Sequence, residues 1–227
     1  MPTVLITGAN RGIGLALARS YAADGWRVLG TCRDPASAGE LGSLRGDVSV
    51  ERLEIRDDSA IAGLAEKLSG EQIDVLFNNA GVAGREVASL GRIDSDVWMD
   101  TFRINTVAPI KMAEAFRDHV AHGGRGKMAF VSSVLGSLER NVGGGRYAYG
   151  STKAALNMAC RSLAGDLRGR GIAVVCLHPG HVRPDMGGAA APVDPDESAA
   201  GMRKVVDGLT LSNSGSFINY DGSPIPW

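Results

Sequence analysis

The chain has 227 residues, 44% of them hydrophobic and 22% charged, the balance of one globular domain rather than a disordered or fibrous chain. Its 24 basic and 25 acidic residues leave a net charge of −1, which excludes the electrostatic footprint of a nucleic-acid or anionic-membrane binder. In chain order, short apolar runs predict strands at 4–7, 27–31, 52–55, 74–77, 127–132, 173–177 and 216–219. Between them, helical periodicity predicts helices at 13–23, 61–68, 97–120, 149–168 and 198–209. Strand–helix alternation of this kind predicts an α/β fold, a doubly wound parallel sheet of about seven strands with helices on both faces, in a single domain over residues 1–227. The Ala/Pro/Gly-rich stretch at 187–195 reads as a loop of that domain rather than a linker. Cys32, Cys160 and Cys176 sit in apolar stretches without metal-ligand spacing and read as buried thiols of a reducing compartment. The opening Met1–Thr7 has no basic leader and no apolar window reaches membrane-spanning length, so a cytoplasmic protein is expected.

Thr7-Gly8-Ala9-Asn10-Arg11-Gly12-Ile13-Gly14 follows the first strand and opens the first helix, where a Rossmann-like sheet places its phosphate loop. Gly8 permits the tight turn, Gly12 the approach of a pyrophosphate, and Gly14 close packing of helix on strand; the helix N-terminus offers free N–H groups to the phosphates. Tyr149 and Lys153 are four residues apart and share a helix face. A free phenol, with a pKa near 10, is too weak an acid or base for neutral pH, and a neighbouring ammonium is expected to lower that pKa. Tyr147 has Ser151 rather than a base at that spacing. Ser133, at the end of the fifth strand, can hydrogen-bond a substrate oxygen, whereas Ser132 is expected to face the sheet or bond backbone. Arg33 follows the second strand and Arg11 lies in the glycine loop; two guanidinium groups flanking one site suit a phosphate, and Asp34 is expected at the surface.

These motifs, in this order and over nearly the whole chain, resemble the single-domain short-chain dehydrogenases/reductases. Asn78-Asn79-Ala80-Gly81 after the fourth strand, Ser133, the Tyr149-Gly150-Ser151-Thr152-Lys153 run, Asn105 in the 97–120 helix, and Pro179-Gly180 after the sixth strand match that family's motifs. The ending Asn219-Tyr220-Asp221-Gly222-Ser223-Pro224-Ile225-Pro226-Trp227, with Lys153-Ala154-Ala155-Leu156-Asn157-Met158 and His178-Pro179-Gly180, is similar to the C-factor/sniffer-type carbonyl reductase branch. The resemblance implies hydride transfer between a nicotinamide cofactor and a carbonyl or secondary alcohol. It assigns catalysis to Ser133, Tyr149, Lys153 and Asn105, the last holding a water that relays protons through Lys153. It assigns the cofactor to Gly8, Asn10, Arg11, Gly12, Ile13, Gly14, Arg33, Glu54, Ile55, Asn79, Ala80, Gly81, Tyr149, Lys153, Pro179, Gly180 and Val182. NAD-preferring relatives carry an acid where Cys32 stands; with Arg33 next and Arg11 in the loop, NADP(H) is the expected cofactor and NAD(H) the second choice.

The sequence departs from that family in three places. Glu54 stands where the adenine-facing acid is commonly aspartate, Pro184 where a threonine commonly bonds the nicotinamide carboxamide, and His181 where relatives of this branch carry tryptophan. Proline offers neither hydroxyl nor N–H, leaving the Val182 backbone for that role. The substrate pocket is expected from residues 82–92, 134–146 and 181–193. A homo-oligomer pairing through the 97–120 and 149–168 helices is expected, with Met158, Leu163 and Leu167 available to the contact or to the core. Two other functions use the same fold: a dinucleotide-binding regulatory protein, which needs no acid/base pair, and a lyase or dehalogenase, which the intact glycine loop disfavours.

Overall fold

The structure is a computed structural model and describes residues 1–84, 89–122, 126–183 and 190–227. The strands are β1 (Thr3–Ile6), β2 (Arg27–Cys32), β3 (Val48–Arg52), β4 (Val75–Asn78), β5 (Lys127–Val131), β6 (Ala173–His178) and β7 (Ser216–Asn219). The helices are α1 (Gly12–Ala23), α2 (Asp58–Lys67), α3 (Ser95–Phe102), α4 (Ala108–His122), α5 (Tyr147–Asp166) and α6 (Pro195–Asp207). One all-parallel sheet runs in the order β3-β2-β1-β4-β5-β6-β7. The strand order reverses between β1 and β4, and this switch point opens a crevice at the strands' carboxyl ends.

Strand alternation divides the core. Val4 and Ile6 of β1 join Leu17 and Tyr21 of α1 and Met202 and Val206 of α6 on one face. Leu5 points the other way, into a layer with Ile61 and Leu64 of α2, Met112 and Phe116 of α4, and Leu156 and Cys160 of α5. All three cysteines are buried and free. Leu167 belongs to the core and Leu163 packs against it, so of the three residues offered for an oligomer contact only Met158 stands exposed. No helix among the described residues is long and apolar enough to cross a membrane.

The sequence reading needs two corrections. The third strand is Val48–Arg52, not 52–55: Val48 and Val50 alternate with Ser49 and Glu51 and pack on the α1 side, while Leu53 only extends the pairing through its N–H to the Cys32 carbonyl (2.8 Å). Between β2 and β3, Asp34 caps a 3-10 turn at Pro35–Ser37 and a second runs over Gly39–Ser43. The long 97–120 helix is interrupted by a π turn at Arg103–Val107. Pro109 has no N–H to give the Asn105 carbonyl four residues back, so the ladder slips and the Ala108 N–H bonds the Arg103 carbonyl instead.

Candidate active site

A cleft of about 2020 Å³ crosses the carboxyl edge of the sheet. Every residue assigned to the cofactor from sequence lines it except Lys153, which is buried beneath its floor. At one end Gly8 and Gly12 adopt φ values of +66° and +52°, and α1 begins with Arg11 in extended backbone, no side-chain cap and no acidic residue in its first turn. Those free N–H groups face an anion site. A Cβ on Gly14 would lie 2.2 Å from the Gly8 carbonyl oxygen, so the helix meets the turn here with no space for a side chain.

Thr7, given no role of its own in the sequence reading, holds this loop together with Asn79. Thr7 Oγ1 accepts the N–H groups of Asn79 and Ala80, both at 3.0 Å, and Asn79 Nδ2 donates to the Thr7 and Gly8 carbonyls at 3.0 and 3.2 Å. The β1 and β4 loops are thereby latched across the switch point. On the far side, Ser198 Oγ of α6 donates to the Pro179 carbonyl at 2.6 Å and pins the turn after β6.

At the β2 end, Cys32 is buried and burial raises its thiol pKa, so no carboxylate stands at that position. Arg33 is exposed at the cleft wall. Asp34 is at the surface and turned to its own chain: its carboxylate accepts from Ser37 Oγ at 2.5 Å and the Ala36 N–H at 3.1 Å, and the Ser37 bond leads in holding it below the usual carboxylate range. Glu54 and Ile55 follow β3 directly and line the same end.

Ser133, Tyr149 and Lys153 converge at the other end. Ser133 stands in extended backbone after β5, where its Oγ accepts the Leu135 N–H at 3.2 Å, and it lines the cleft beside Tyr149. Lys153, 3% exposed, lies under the Tyr149 ring, 5.7 Å from its centroid, and donates to the Val131 carbonyl at 2.7 Å. Burial lowers the lysine pKa to about 8. Burial also raises the Tyr149 phenol above its usual value, against the hydrogen bond of Ser133 and the charge of Arg146, which pull it down. The expected lowering by Lys153 is therefore not realised in the chain alone: the ammonium is aimed at a backbone carbonyl beneath the ring.

Asn105 lies across the Gly81 backbone from Lys153. Its side chain is fully buried in the π turn and spent on structure: Oδ1 accepts the Val82 N–H, and Nδ2 donates to the Val82 carbonyl, both at 2.9 Å, and to Thr152 Oγ1 at 3.2 Å. It clamps the turn after β4 to α5 and makes no bond to Lys153. A Cβ on Gly81 would meet Asn105 Oδ1 at 3.2 Å and Lys153 Nζ at 3.7 Å, so the backbone passes between them. Ser132 bonds backbone through its N–H to Leu177, but its Oγ donates to Asn157 of α5 at 2.6 Å, a buried link the sequence did not suggest. Val82, Ala83, Gly84, Trp98, much of 134–146 and His181–Arg183 complete the cleft. Residues 85–88 and 184–189 of the expected pocket, Pro184 among them, lie outside the described residues.

Residues 2–193 match the family model of the short chain dehydrogenases. The chain is 45% identical over 155 residues to the C-signal protein of Myxococcus xanthus, covering 68% of this chain and 93% of that protein. It is 34% identical, over the whole of both chains, to the 1-hydroxy-2-glutathionyl-2-methyl-3-butene dehydrogenase of Rhodococcus sp. strain AD45. Among solved structures it superposes over its full length on the carbonyl reductase Sniffer of D. melanogaster (TM-score 0.94, 35% identity, 100% of both chains). It does so equally on an NADPH-bound carbonyl reductase from chicken fatty liver (TM-score 0.92, 33% identity, 100% of this chain and 99% of that one). The glycine cradle at the switch point and the Ser133–Tyr149–Lys153 cluster thus sit in a chain that belongs to the short-chain dehydrogenase family.

Proposed function

We propose that the protein is an NADP(H)-dependent reductase of carbonyl compounds that runs in reverse on secondary alcohols. The observation that carries this is the convergence of Ser133 and Tyr149 on the wall of one cleft, with Lys153 under the Tyr149 ring and an uncapped helix start behind a glycine turn at the other end. NADP(H) fits the residues present. Gly14 leaves no room for a side chain against the turn, α1 offers free N–H groups to a pyrophosphate, and Arg33 and Arg11 line the β2 end, where Cys32 puts no charge. The bound cofactor supplies or accepts the hydride.

The chain's own residues supply the proton and hold the oxygen. Ser133 donates a hydrogen bond to the carbonyl oxygen as negative charge grows there. Tyr149, kept protonated by burial, then gives that oxygen its phenolic proton. In the reverse direction the phenolate must form, and the Ser133 bond and the Arg146 charge are the contributions that favour it. Lys153, charged below its pKa of about 8, adds positive charge under the ring. Asn105 acts by holding the turn at Val82 rather than by touching substrate. The test is NADPH oxidation followed over a panel of ketones, aldehydes and quinones. Turnover of at least one class, with NADPH favoured over NADH, supports the reading; tight NADPH binding with no turnover across the panel favours a dinucleotide-binding regulatory protein instead.

A further inference from the structure

Among the described residues, the substrate half of the cleft carries charge of one sign. The only carboxylates among its described lining residues, Asp34 and Glu54, stand at the β2–β3 end. Around Tyr149 the charged or ionisable side chains that line it are Arg140, Arg146, Arg183, His178 and His181. Arg183 is paired with Asp194 at 3.3 Å. Arg140 and Arg146 have no ion-pair partner among the described residues; their electrostatic neighbours are instead His178 and Tyr149. Burial, then Arg140 and His181, lower His178 to about 4 against the opposing pull of Asp221, so it is neutral at pH 7. Its buried Nδ1 lacks a hydrogen-bond partner.

Backbone geometry adds to this. Arg146 is the one non-glycine residue with positive φ among those described, at φ 54° and ψ 37°, immediately before the helix that carries Tyr149. Such outliers persist where surrounding structure or function demands them. The cofactor's phosphates do not account for these arginines. The phosphate cradle belongs to β1, whereas Arg140 and Arg146 belong to the β5–α5 connection, with β4 between the two strands. Two strand spacings put roughly 10 Å between these positions. The same cleft also has aromatic lining. Trp98 and Tyr147 face the cleft with ring centroids 6.4 Å apart, and Trp98 is fixed by its Nε1 bond to Ser151 Oγ (2.9 Å).

We propose that the substrate is a carbonyl compound bearing a carboxylate some atoms from its reacting carbonyl, the carboxylate held by Arg140 and Arg146 and the apolar body lying along Trp98 and Tyr147. This rests on the reductase reading but not on its rate. A guanidinium matches a carboxylate in two parallel bonds, and each lost charge-assisted bond weakens binding about tenfold or more.

The test uses the NADPH-loaded chain and two matched pairs: para-acetylbenzoate with its methyl ester, and levulinate with its methyl ester. Binding is read by quenching of tryptophan fluorescence, turnover by NADPH oxidation. The acids should bind about tenfold or more tightly than their esters at low salt, and the advantage should shrink as salt screens the arginines. Combining Arg140→Gln with Arg146→Asn, which keeps a residue tolerant of positive φ, should bring the acid-to-ester ratio of Kd and of kcat/KM close to one, chiefly through KM. Acids that bind no better than esters in the wild type, or a ratio that survives the double variant, would overturn the proposal. Acid-selective binding without turnover would leave it standing and count against the reductase reading instead.

Discussion

Replacing Gly14 by alanine sets two effects of opposite sign against each other in one residue. In an open helix, alanine in place of glycine stabilises by about 1 kcal/mol. In α1 the added Cβ would sit 2.2 Å from the Gly8 carbonyl oxygen and 2.7 Å from Asn79 Nδ2. The helix start or the turn must give way by about 1 Å, and overpacking of this kind costs about 1–3 kcal/mol. Moving Asn79 also loosens its bonds to the Thr7 and Gly8 carbonyls, worth about 1 kcal/mol each. The net expectation is a loss of about 1–3 kcal/mol, a fall in Tm of about 2–12 °C at this chain length. NADPH affinity should fall more than tenfold, because the shifted turn is the phosphate cradle. Gly63→Ala in α2 and Gly165→Ala in α5 are the controls: nothing lies within 4 Å of either Cβ, so both should hold or raise Tm. Thermal unfolding and fluorescence titration with NADPH read the two effects. A Gly14→Ala protein as stable as wild type with normal NADPH binding would refute the close-packing argument.

Arg33→Ala should lower kcat/KM with NADPH about ten- to a hundredfold and leave NADH nearly unchanged, while Cys32→Asp should move the preference further toward NADH; a wild type that prefers NADH would refute the roles given to Arg33 and Arg11. Lys153→Met should stabilise the cofactor-free protein at pH 7. The folded pKa of about 8 lies below the lysine's ordinary value of 10.5, so the unfolded chain holds the proton more tightly and the native state is penalised by about 3 kcal/mol below pH 8. That penalty is relieved as pH rises from 8 to 10.5, so urea unfolding should show the variant's advantage shrinking over that window. An advantage that is absent at pH 7, or that grows with pH, would contradict the burial argument.

Most of the sheet was legible because its strands are short apolar runs bounded by turn residues, and 216–219 is matched residue for residue by β7. The edge strand β3 was misplaced because it carries the polar Ser49, Glu51 and Arg52, whereas the apolar Leu53 and Ile55 just beyond it look more like a strand. The π turn was missed, although Pro109 four residues after Asn105 carried the signal. The glycine loop and the Tyr149–Lys153 spacing were legible because their chemistry is local in sequence. The latches were not: Thr7 finds Asn79 across 72 residues, and Ser132 finds Asn157 across 25. Such pairings depend on which strands become neighbours, and no local periodicity encodes them. The electrostatics around Tyr149 were legible in kind but not in direction, since burial, which sequence spacing does not report, raises the phenol that a nearby ammonium was expected to lower.

Tyr149→Phe tests the account's central claim most directly. The substitution removes one oxygen from a half-buried ring and leaves Ser133, Lys153 and the glycine cradle in place, so NADPH should bind with its wild-type Kd. Reduction of any ketone the wild type accepts should fall by about 10² or more, the usual contribution of general acid–base catalysis. Single-turnover NADPH oxidation, measured beside an NADPH binding titration on the same protein, reads both quantities. Wild-type hydride transfer in Tyr149→Phe would contradict the assignment of the proton to Tyr149.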